Sequence, residues 1–245
     1  MVLDEKIKKL KEIIEKSNRI CVFTGAGISC PSGIPDFRSE NGIYKTKSRF
    51  GYPPETMLSH SFFVEHTELF FDFYRSQMIY PEAKPNKAHE FFASLERKGK
   101  KVTVVTQNID SLHQKAGSSD VVELHGSVMR NYCENCKKFF PLETILEKKG
   151  VPVCDCGGVI KPDVVLYEEP LSQESVERAI VAIENADALI VVGTSLSVYP
   201  AASYIRFFGG KDLVLINKDE TRYDSLASLS FADDVIKVVD ALEKD

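Results

Sequence analysis

The chain has 245 residues, a formal net charge of −5 and a hydrophobic fraction of 43%. This composition is that of a globular protein, and no run approaches the roughly 18 apolar residues of a membrane-spanning helix. The negative charge argues against direct nucleic-acid binding. The charged, helix-patterned N-terminus lacks the apolar core of a secretion signal, so we expect a cytoplasmic protein without a membrane partner.

Short apolar runs alternate with helical patterns along the chain. The runs are rich in β-branched residues, as are strands buried on both faces of a parallel sheet. Strands are predicted at Ile20–Phe23, Val102–Val105, Ala188–Val192 and Leu213–Ile216. Helices are predicted at Asp4–Lys16, Asn86–Lys98 and Gln173–Glu184. The alternation predicts an α/β fold with a doubly wound parallel sheet.

Two stretches interrupt the alternation and predict a small second domain formed by insertions. One contains a Gly/Pro-rich loop and an aromatic helical run around Phe62–Tyr80, and the other contains a cysteine cluster. The small domain is predicted to comprise 31–85 and 128–159. The larger domain is predicted to comprise 1–30, 86–127 and 160–245.

The first strand runs into a Gly25-Ala26-Gly27 turn. Backbone N–H groups in such a turn can bind a diphosphate, because glycine lets the backbone approach it closely. The usual dinucleotide fingerprint is incomplete, since Cys30 replaces its third glycine and no acidic residue ends a second strand about 20 residues later. A tight strand-to-helix turn explains the Gly-Ala-Gly segment alone equally well.

Polar residues follow the second strand as Thr106-Gln107-Asn108-Ile109-Asp110. The carboxyl ends of parallel strands are where α/β sheets bind ligands. Asp110 could instead cap a short helix that ends at Gly117. Capping alone leaves Gln107 and Asn108 unexplained.

A short strand from Val121 ends in His125-Gly126. Histidine is the side chain best suited to accept a proton near neutral pH. The other four histidines lie in predicted helical regions, so His125 is the candidate base.

Four of the six cysteines form two close pairs, Cys133-x-x-Cys136 and Cys154-x-Cys156. Thiolates at this spacing can converge on Zn²⁺, and four sulfur ligands leave no open catalytic position. Disulfides are the alternative, disfavoured in a cytosolic chain. Gly157 and Gly158 could let the shortened second pair turn inward. The pattern predicts a structural zinc.

Together these motifs resemble the sirtuins, the NAD-dependent protein-lysine deacylases. The resemblance rests on Gly25–Ser29, on Ser32–Arg38 (SGIPDFR), on TQNID at 106–110, on Leu124-His125-Gly126 and on Gly193-Thr194-Ser195. It implies a Rossmann-like NAD-binding domain, NAD as co-substrate and a small domain holding structural Zn²⁺. This chain departs from the family pattern at Ser111 and Glu168, where sirtuins usually have glycine.

The resemblance also implies roles for individual residues. The catalytic residues would be His125, as the base, and Asn108. The NAD-binding residues would be Gly25, Ala26, Gly27, Ser29, Cys30, Asp36, Phe37, Arg38, Gln107, Asn108, Ile109, Asp110, His125, Gly193, Thr194, Ser195, Asn217, Lys218, Asp234 and Val235. An acetylated protein or peptide would pair as an added strand with Val164, Val165, Leu166 and Tyr167. The zinc ligands would be Cys133, Cys136, Cys154 and Cys156.

The implied reaction transfers an acyl group from lysine to NAD-derived ADP-ribose and releases nicotinamide and 2′-O-acyl-ADP-ribose. Sirtuins that prefer acidic acyl groups carry Tyr-x-x-Arg, where this chain has Tyr74-x-x-Gln77. An acyl carboxylate would then be buried unpaired, so acetyl and other neutral groups are expected. Protein mono-ADP-ribosyl transfer is the alternative, and a nicotinamide dehydrogenase is a more distant one. Acidic Glu168 and Glu169 suggest a preference for basic substrates.

Overall fold

A computed structural model describes residues 2–37, 43 and 50–244. Its main feature is a six-stranded parallel sheet in the order β3-β2-β1-β7-β8-β9. The strands of this sheet are β1 (Arg19–Thr24), β2 (Lys101–Thr106), β3 (Val121–Glu123), β7 (Ala188–Val192), β8 (Asp212–Asn217) and β9 (Leu229–Ala232). Four predicted strands are confirmed with ends shifted by at most one residue, the strand predicted from Val121 ends two residues before His125, and β9 was not predicted.

Helices cover both faces of this sheet and also form the aromatic insertion. They are α1 (Leu3–Lys16), α2 (Pro54–Met57), α3 (His60–Glu65), α4 (Thr67–Gln77), α5 (Lys87–Arg97), α6 (Leu112–Lys115), α7 (Leu142–Glu147), α8 (Gln173–Glu184) and α9 (Val235–Glu243). Short 3₁₀ turns occupy Ala26–Ile28, Cys30–Ser32, Ala201–Phe207 and Asp224–Leu226. Within the described part of the chain, no helix combines the length and apolar character needed to cross a membrane.

The strands of the large sheet are buried on both faces. In β1, Ile20 and Val22 pack in the same core as α1, α5 and α9, while Cys21 and Phe23 pack with α8. Successive strand residues point to opposite faces, so a continuous apolar run is what a sheet covered twice requires. The predicted doubly wound α/β fold is confirmed.

A second sheet is antiparallel, with the order β5-β4-β6. Its strands are β4 (Gly126–Cys133), β5 (Phe139–Pro141) and β6 (Ile160–Val164). The bounds predicted for the small domain, 128–159, therefore omit the start of β4 and the whole of β6. The reason is that β6 follows the cysteines in sequence yet pairs with β4, which a sequence pattern does not reveal.

Two buried histidines meet beneath the glycine turn. The rings of His89 and His113 lie 4.8 Å apart, and His113 Nε2 is 3.1 Å from the Thr24 hydroxyl. Burial lowers the pKa of His89 to about 4 and that of His113 well below its usual value, with the neighbouring His89 adding to the latter. Both rings are therefore neutral in the folded protein at pH 7.

This pair predicts a loss of stability in acid. Because the pKa of His89 is lower in the folded than in the unfolded chain, stability declines as pH falls below about 6.5 towards about 4. From pH 7 to pH 5, wild type should lose about 2 kcal/mol more unfolding free energy than His89→Gln. Urea unfolding measures this, with exposed His66→Gln as control. Equal losses in all three proteins would refute the assignment.

Candidate active site

The loops after β1 and β7 touch each other through glycine. Gly25 N donates to Val192 O at 3.1 Å and Gly27 N donates to Gly193 O at 2.8 Å. A Cβ on Gly27 would lie 2.7 Å from Gly193 Cα, and one on Gly25 would lie 2.7 Å from Thr194 Cβ. These glycines are thus required by the neighbouring strand end, whatever they do for a ligand.

The polar segment after β2 is bonded to the glycine turn. Asn108 Nδ2 donates to Gly25 O at 3.1 Å and to Ser29 Oγ at 3.0 Å, and Ser29 Oγ donates to Asp110 Oδ2 at 2.7 Å. Asp110 Oδ1 also accepts from Leu112 N at 2.9 Å. The capping role considered for Asp110 is therefore present, but it occupies only one of the two oxygens.

Burial raises the pKa of Asp110, and the hydrogen bonds from Leu112 and Ser29 oppose that rise. Such a balance between desolvation and donated hydrogen bonds is common at functional sites. Gln107 extends the same segment towards β7, because its Nε2 donates to Thr194 Oγ1 at 3.1 Å.

His125 is held in one tautomer. Its Nδ1 lies 2.9 Å from Gln107 O, and a carbonyl oxygen can only accept, so Nδ1 carries the hydrogen. Nε2 is then left with a free lone pair. Burial lowers the pKa of His125, and the hydrogen bond to Gln107 partly opposes this. A neutral imidazole with an unprotonated nitrogen is what a general base requires.

A cavity of about 270 Å³ opens beside these groups. The predicted site residues that line it are Ala26, Ser29, Phe37, Gln107, Asn108, Ile109, Asp110, His125, Val164, Val165, Leu166 and Tyr167. The sequence did not identify several further wall residues, among them Ile34, Tyr80, Val128 and Tyr199. Ile34 and Tyr80 lie within SGIPDFR and the aromatic run, whereas the only sequence signal for Val128 and Tyr199 is their proximity to His125 and to Gly193-Thr194-Ser195.

Among the described residues, the remaining NAD-binding predictions lie at the same end of the sheet but do not line this cavity. Thr194 N donates to Asn217 Oδ1 at 2.7 Å, and Lys218 Nζ pairs with Asp234 Oδ2 at 3.1 Å. The side-chain nitrogen of Asn217 is buried without a hydrogen-bond partner among the described residues. Asp234 also caps α9 through Ile236 N, just beyond buried Val235.

Two further residues that were predicted to bind NAD, Cys30 and Ser195, are described by the structure. Cys30 Sγ lies 3.8 Å from Asp36 Oδ2, and burial raises the pKa of the Cys30 thiol. Ser195 Oγ lies 2.7 Å from Ser197 Oγ, on the exposed side of its loop. Arg38 falls outside the described residues.

The segment predicted to bind peptide lies between the candidate base and α3. Val165 N donates to His125 O at 3.0 Å, and Tyr167 N donates to Leu58 O at 2.9 Å. Glu169 Oε2 accepts from Leu166 N at 2.9 Å and pairs with Lys161 Nζ at 3.1 Å. Glu169 is thus engaged within the protein, which weakens the expectation that it selects basic substrates.

Glu168 has a left-handed backbone, with φ of 75°. Its carboxylate accepts from Ser61 N at 2.9 Å and from Ser61 Oγ at 2.6 Å, and these bonds lower its pKa. A left-handed backbone is unfavourable for residues other than glycine. The bonds to Ser61 explain how a glutamate is held at this position.

Replacing Glu168 should separate the backbone effect from the side-chain effect. Glu168→Ala loses both bonds to Ser61 but keeps the unfavourable backbone, whereas Glu168→Gly loses the bonds and relieves the backbone. We expect the glycine variant to melt roughly 2–4 °C above the alanine variant by calorimetry. An alanine variant as stable as the glycine variant would contradict this explanation.

The four clustered cysteines converge at one end of the small sheet. Their sulfur atoms lie within 4.8 Å of one another, with Cys133–Cys156 at 3.4 Å and Cys136–Cys154 at 3.7 Å. Tetrahedral Zn–S bonds of about 2.3 Å place sulfurs about 3.8 Å apart, whereas a disulfide needs about 2 Å. The site fits one structural zinc ion.

Glycines make room for this cluster, as the sequence suggested. Gly157 has φ of 84°, so the chain reverses directly after Cys156. A Cβ on Gly158 would lie 2.6 Å from Cys133 Sγ. The shortened Cys-x-Cys pair is therefore accommodated by the two residues that follow it.

Known proteins match this chain over nearly its whole length. Residues 25–200 match the Sir2 family. A protein of Clostridium acetobutylicum named NAD-dependent protein deacetylase is 55% identical over 244 residues, covering 99% of this chain and all of the relative. A solved Sir2 structure with deacetylated p53 peptide and 3′-O-acetyl ADP-ribose has a TM-score of 0.88 and 42% identity, over 96% of both chains. Another, with p53 peptide and NAD⁺, has a TM-score of 0.83 and 40% identity, over 96% of this chain and 95% of the other.

Proposed function

This chain belongs to the Sir2 family, and from that membership we propose that it removes acetyl groups from protein lysines with NAD as co-substrate. The observation that carries the proposal is His125, whose Nδ1 is committed to Gln107 O at 2.9 Å and whose Nε2 is free to accept a proton. His125 lines the cavity together with Asn108 and Asp110.

The residues at the carboxyl end of the large sheet fit NAD. The only side chain of the Gly25-Ala26-Gly27 turn is the methyl group of Ala26, which lines the cavity. The buried amide nitrogen of Asn217 has no hydrogen-bond partner among the described residues, and a ribose hydroxyl could accept from it. Lys218, which is paired with Asp234, adds a positive charge near Cys30, whereas Gly27 N and Ile28 N of the 3₁₀ turn already donate to Gly193 O and Gly25 O. When bound, NAD supplies the ADP-ribosyl group that accepts the acetyl group.

The side chains of the site have separate roles in the reaction. Asn108 and Asp110, held by Ser29, orient the sugar and carboxamide from the TQNID side. His125 accepts a proton at Nε2 while its Nδ1–H stays on Gln107 O. The apolar walls from Phe37 and Ile109 exclude water from the cavity.

The acetylated substrate is a protein segment that lies extended along Val164–Tyr167. This segment lines the cavity, and its first residue, Val164, is the last residue of β6 and pairs with Gly126, so a peptide can add a further strand there. The two solved Sir2 structures described above hold p53 peptides. We place the reaction in the cytoplasm, whose reducing environment keeps clustered thiols available for zinc.

Acyl selectivity should follow the charge of the cavity. Gln77 lines it, no arginine is among the described lining residues, and the lysine that lines it, Lys115, is exposed and lies near Asp110, so a succinyl carboxylate beside Gln77 would be buried without a guanidinium partner. An unpaired buried charge costs about 3 kcal/mol or more, so kcat/KM for acetyl peptide should exceed that for succinyl peptide by about 100-fold. Gln77→Arg should narrow this ratio. Faster removal of succinyl by wild type would contradict the assignment.

Nicotinamide release tests the proposed function. Wild type should release nicotinamide from NAD only when an acetylated peptide is present, and the unacetylated peptide is the matched control. Release without an acetyl group, or conversion of NAD to its reduced form, would show a different reaction.

A further inference from the structure

A buried carboxylate next to the site, Glu123, is not used by the proposed reaction. Only 8% of its side chain is exposed. Glu123 Oε1 accepts from Ser111 Oγ at 3.2 Å and from Gln114 Nε2 at 2.8 Å, while Oε2 accepts from Arg130 Nη1 at 2.6 Å. Glu123 does not appear among the described residues that line the cavity.

The donors to Glu123 come from different segments of the site. Ser111 directly follows Asp110, and Gln114 lies on α6. Arg130 lies on β4, and its Nε donates to Asp163 Oδ2 on β6 at 2.8 Å. Glu123 itself ends β3, two residues before His125. One carboxylate therefore joins the Asp110 loop, the strand that leads to His125 and the small sheet.

Ser111 is held in an unfavourable backbone conformation by the same contacts. Its φ is 57°, in the left-handed region. Ser127, which is fully buried, accepts from Met129 N at 3.2 Å and lies 2.8 Å from Ser111 Oγ. Ser127 can therefore donate to Ser111, and Ser111 can donate to Glu123. A residue other than glycine keeps such a backbone only where its surroundings hold it.

We propose that Glu123 is a positioning residue for deacetylation, which holds the loop of Asp110 and the strand of His125 in one geometry through Ser111, Gln114 and Arg130. This inference rests on the proposed function. Misplacement of catalytic groups by about 1 Å reduces turnover strongly, while a peptide that does not touch Glu123 binds as before. Loss of the Glu123 carboxylate should therefore lower kcat and leave the KM for peptide nearly unchanged.

Glu123→Gln tests this role, because glutamine has nearly the same shape but cannot accept hydrogen bonds on both ends. We expect kcat for acetyl peptide to fall at least about 10-fold, with the peptide KM within about 2-fold of wild type. Glu96→Gln is the matched control, because the Glu96 carboxylate accepts from Ser119 N at 3.1 Å and Oγ at 2.6 Å away from the cavity. Its kcat should be unchanged.

Arg130 provides a second variant should Glu123→Gln fail to fold. Arg130→Met should lower kcat, and Arg130→Lys should restore part of the loss, because lysine can still donate to one of the two carboxylates. A kcat for Glu123→Gln within 2-fold of wild type would overturn the inference, as would equal activity of the Met and Lys variants. If wild type itself does not deacetylate, the proposed function fails instead.

Discussion

His125→Ala is expected to lose about 10²–10⁴-fold in kcat for acetyl peptide while it still binds NAD. His125 lines the cavity and keeps Nε2 as the proton acceptor because Nδ1 donates to Gln107 O at 2.9 Å, and alanine removes this acceptor. NAD affinity by calorimetry and kcat by peptide deacetylation measure the two effects separately.

His66→Ala is the control for this experiment, since His66 is exposed and contacts the rings of Phe62 and Tyr52 away from the base. Its kcat should remain close to that of wild type. If His125→Ala kept its activity within about 10-fold, another group would have to be the base.

Removing the zinc should have the second large effect. Cys133 is fully buried in the core of the small sheet, next to Ile145 and Ile160. Structural zinc sites contribute on the order of 10–16 kcal/mol of binding free energy in zinc-finger peptides, so chelation should unfold the small sheet. Because β4 begins at Gly126 and β6 leads into Val165, deacetylation should be lost as well.

Cys133→Ser should lose bound zinc and activity together. Metal content by atomic absorption and secondary structure by circular dichroism follow the change. Cys30→Ser is the control for metal content, because Cys30 is not part of the sulfur cluster and its variant should retain one zinc per chain. A fully folded, active Cys133→Ser protein without metal would show that the zinc is dispensable.

The large sheet was predictable because its strands are covered on both faces. Continuous runs such as Ala188–Val192 carry that signal directly, and the structure has a strand with these bounds. The strand Leu229–Ala232 was missed, since it is a four-residue edge strand whose burial alternates and whose apolar run is broken by Ser230. The pairing of β6 with β4 was missed because it joins residues that are 27 (Cys133 and Ile160) to 38 (Gly126 and Val164) positions apart in the chain.

The candidate site was predictable where its chemistry requires particular residue types. Three features of the sequence have few explanations other than a functional site. They are a histidine after one strand, a polar segment after another strand and four cysteines at the spacing of metal ligands. The apolar walls, such as Val128 and Tyr199, gave no such signal, since any residue of similar size fills a wall. Ser111 and Glu168 were noted only as departures from glycine, and their positive φ values show why glycine suits both positions.

The fate of the acetyl group tests the central claim most directly. Wild-type protein is incubated with NAD and an acetyl-lysine peptide, and all products are identified and quantified by mass spectrometry. We predict one O-acetyl-ADP-ribose and one nicotinamide for each peptide that loses its acetyl group. Nicotinamide formed together with ADP-ribosylated protein, while the peptide keeps its acetyl group, would contradict the deacetylase assignment and identify an ADP-ribosyltransferase.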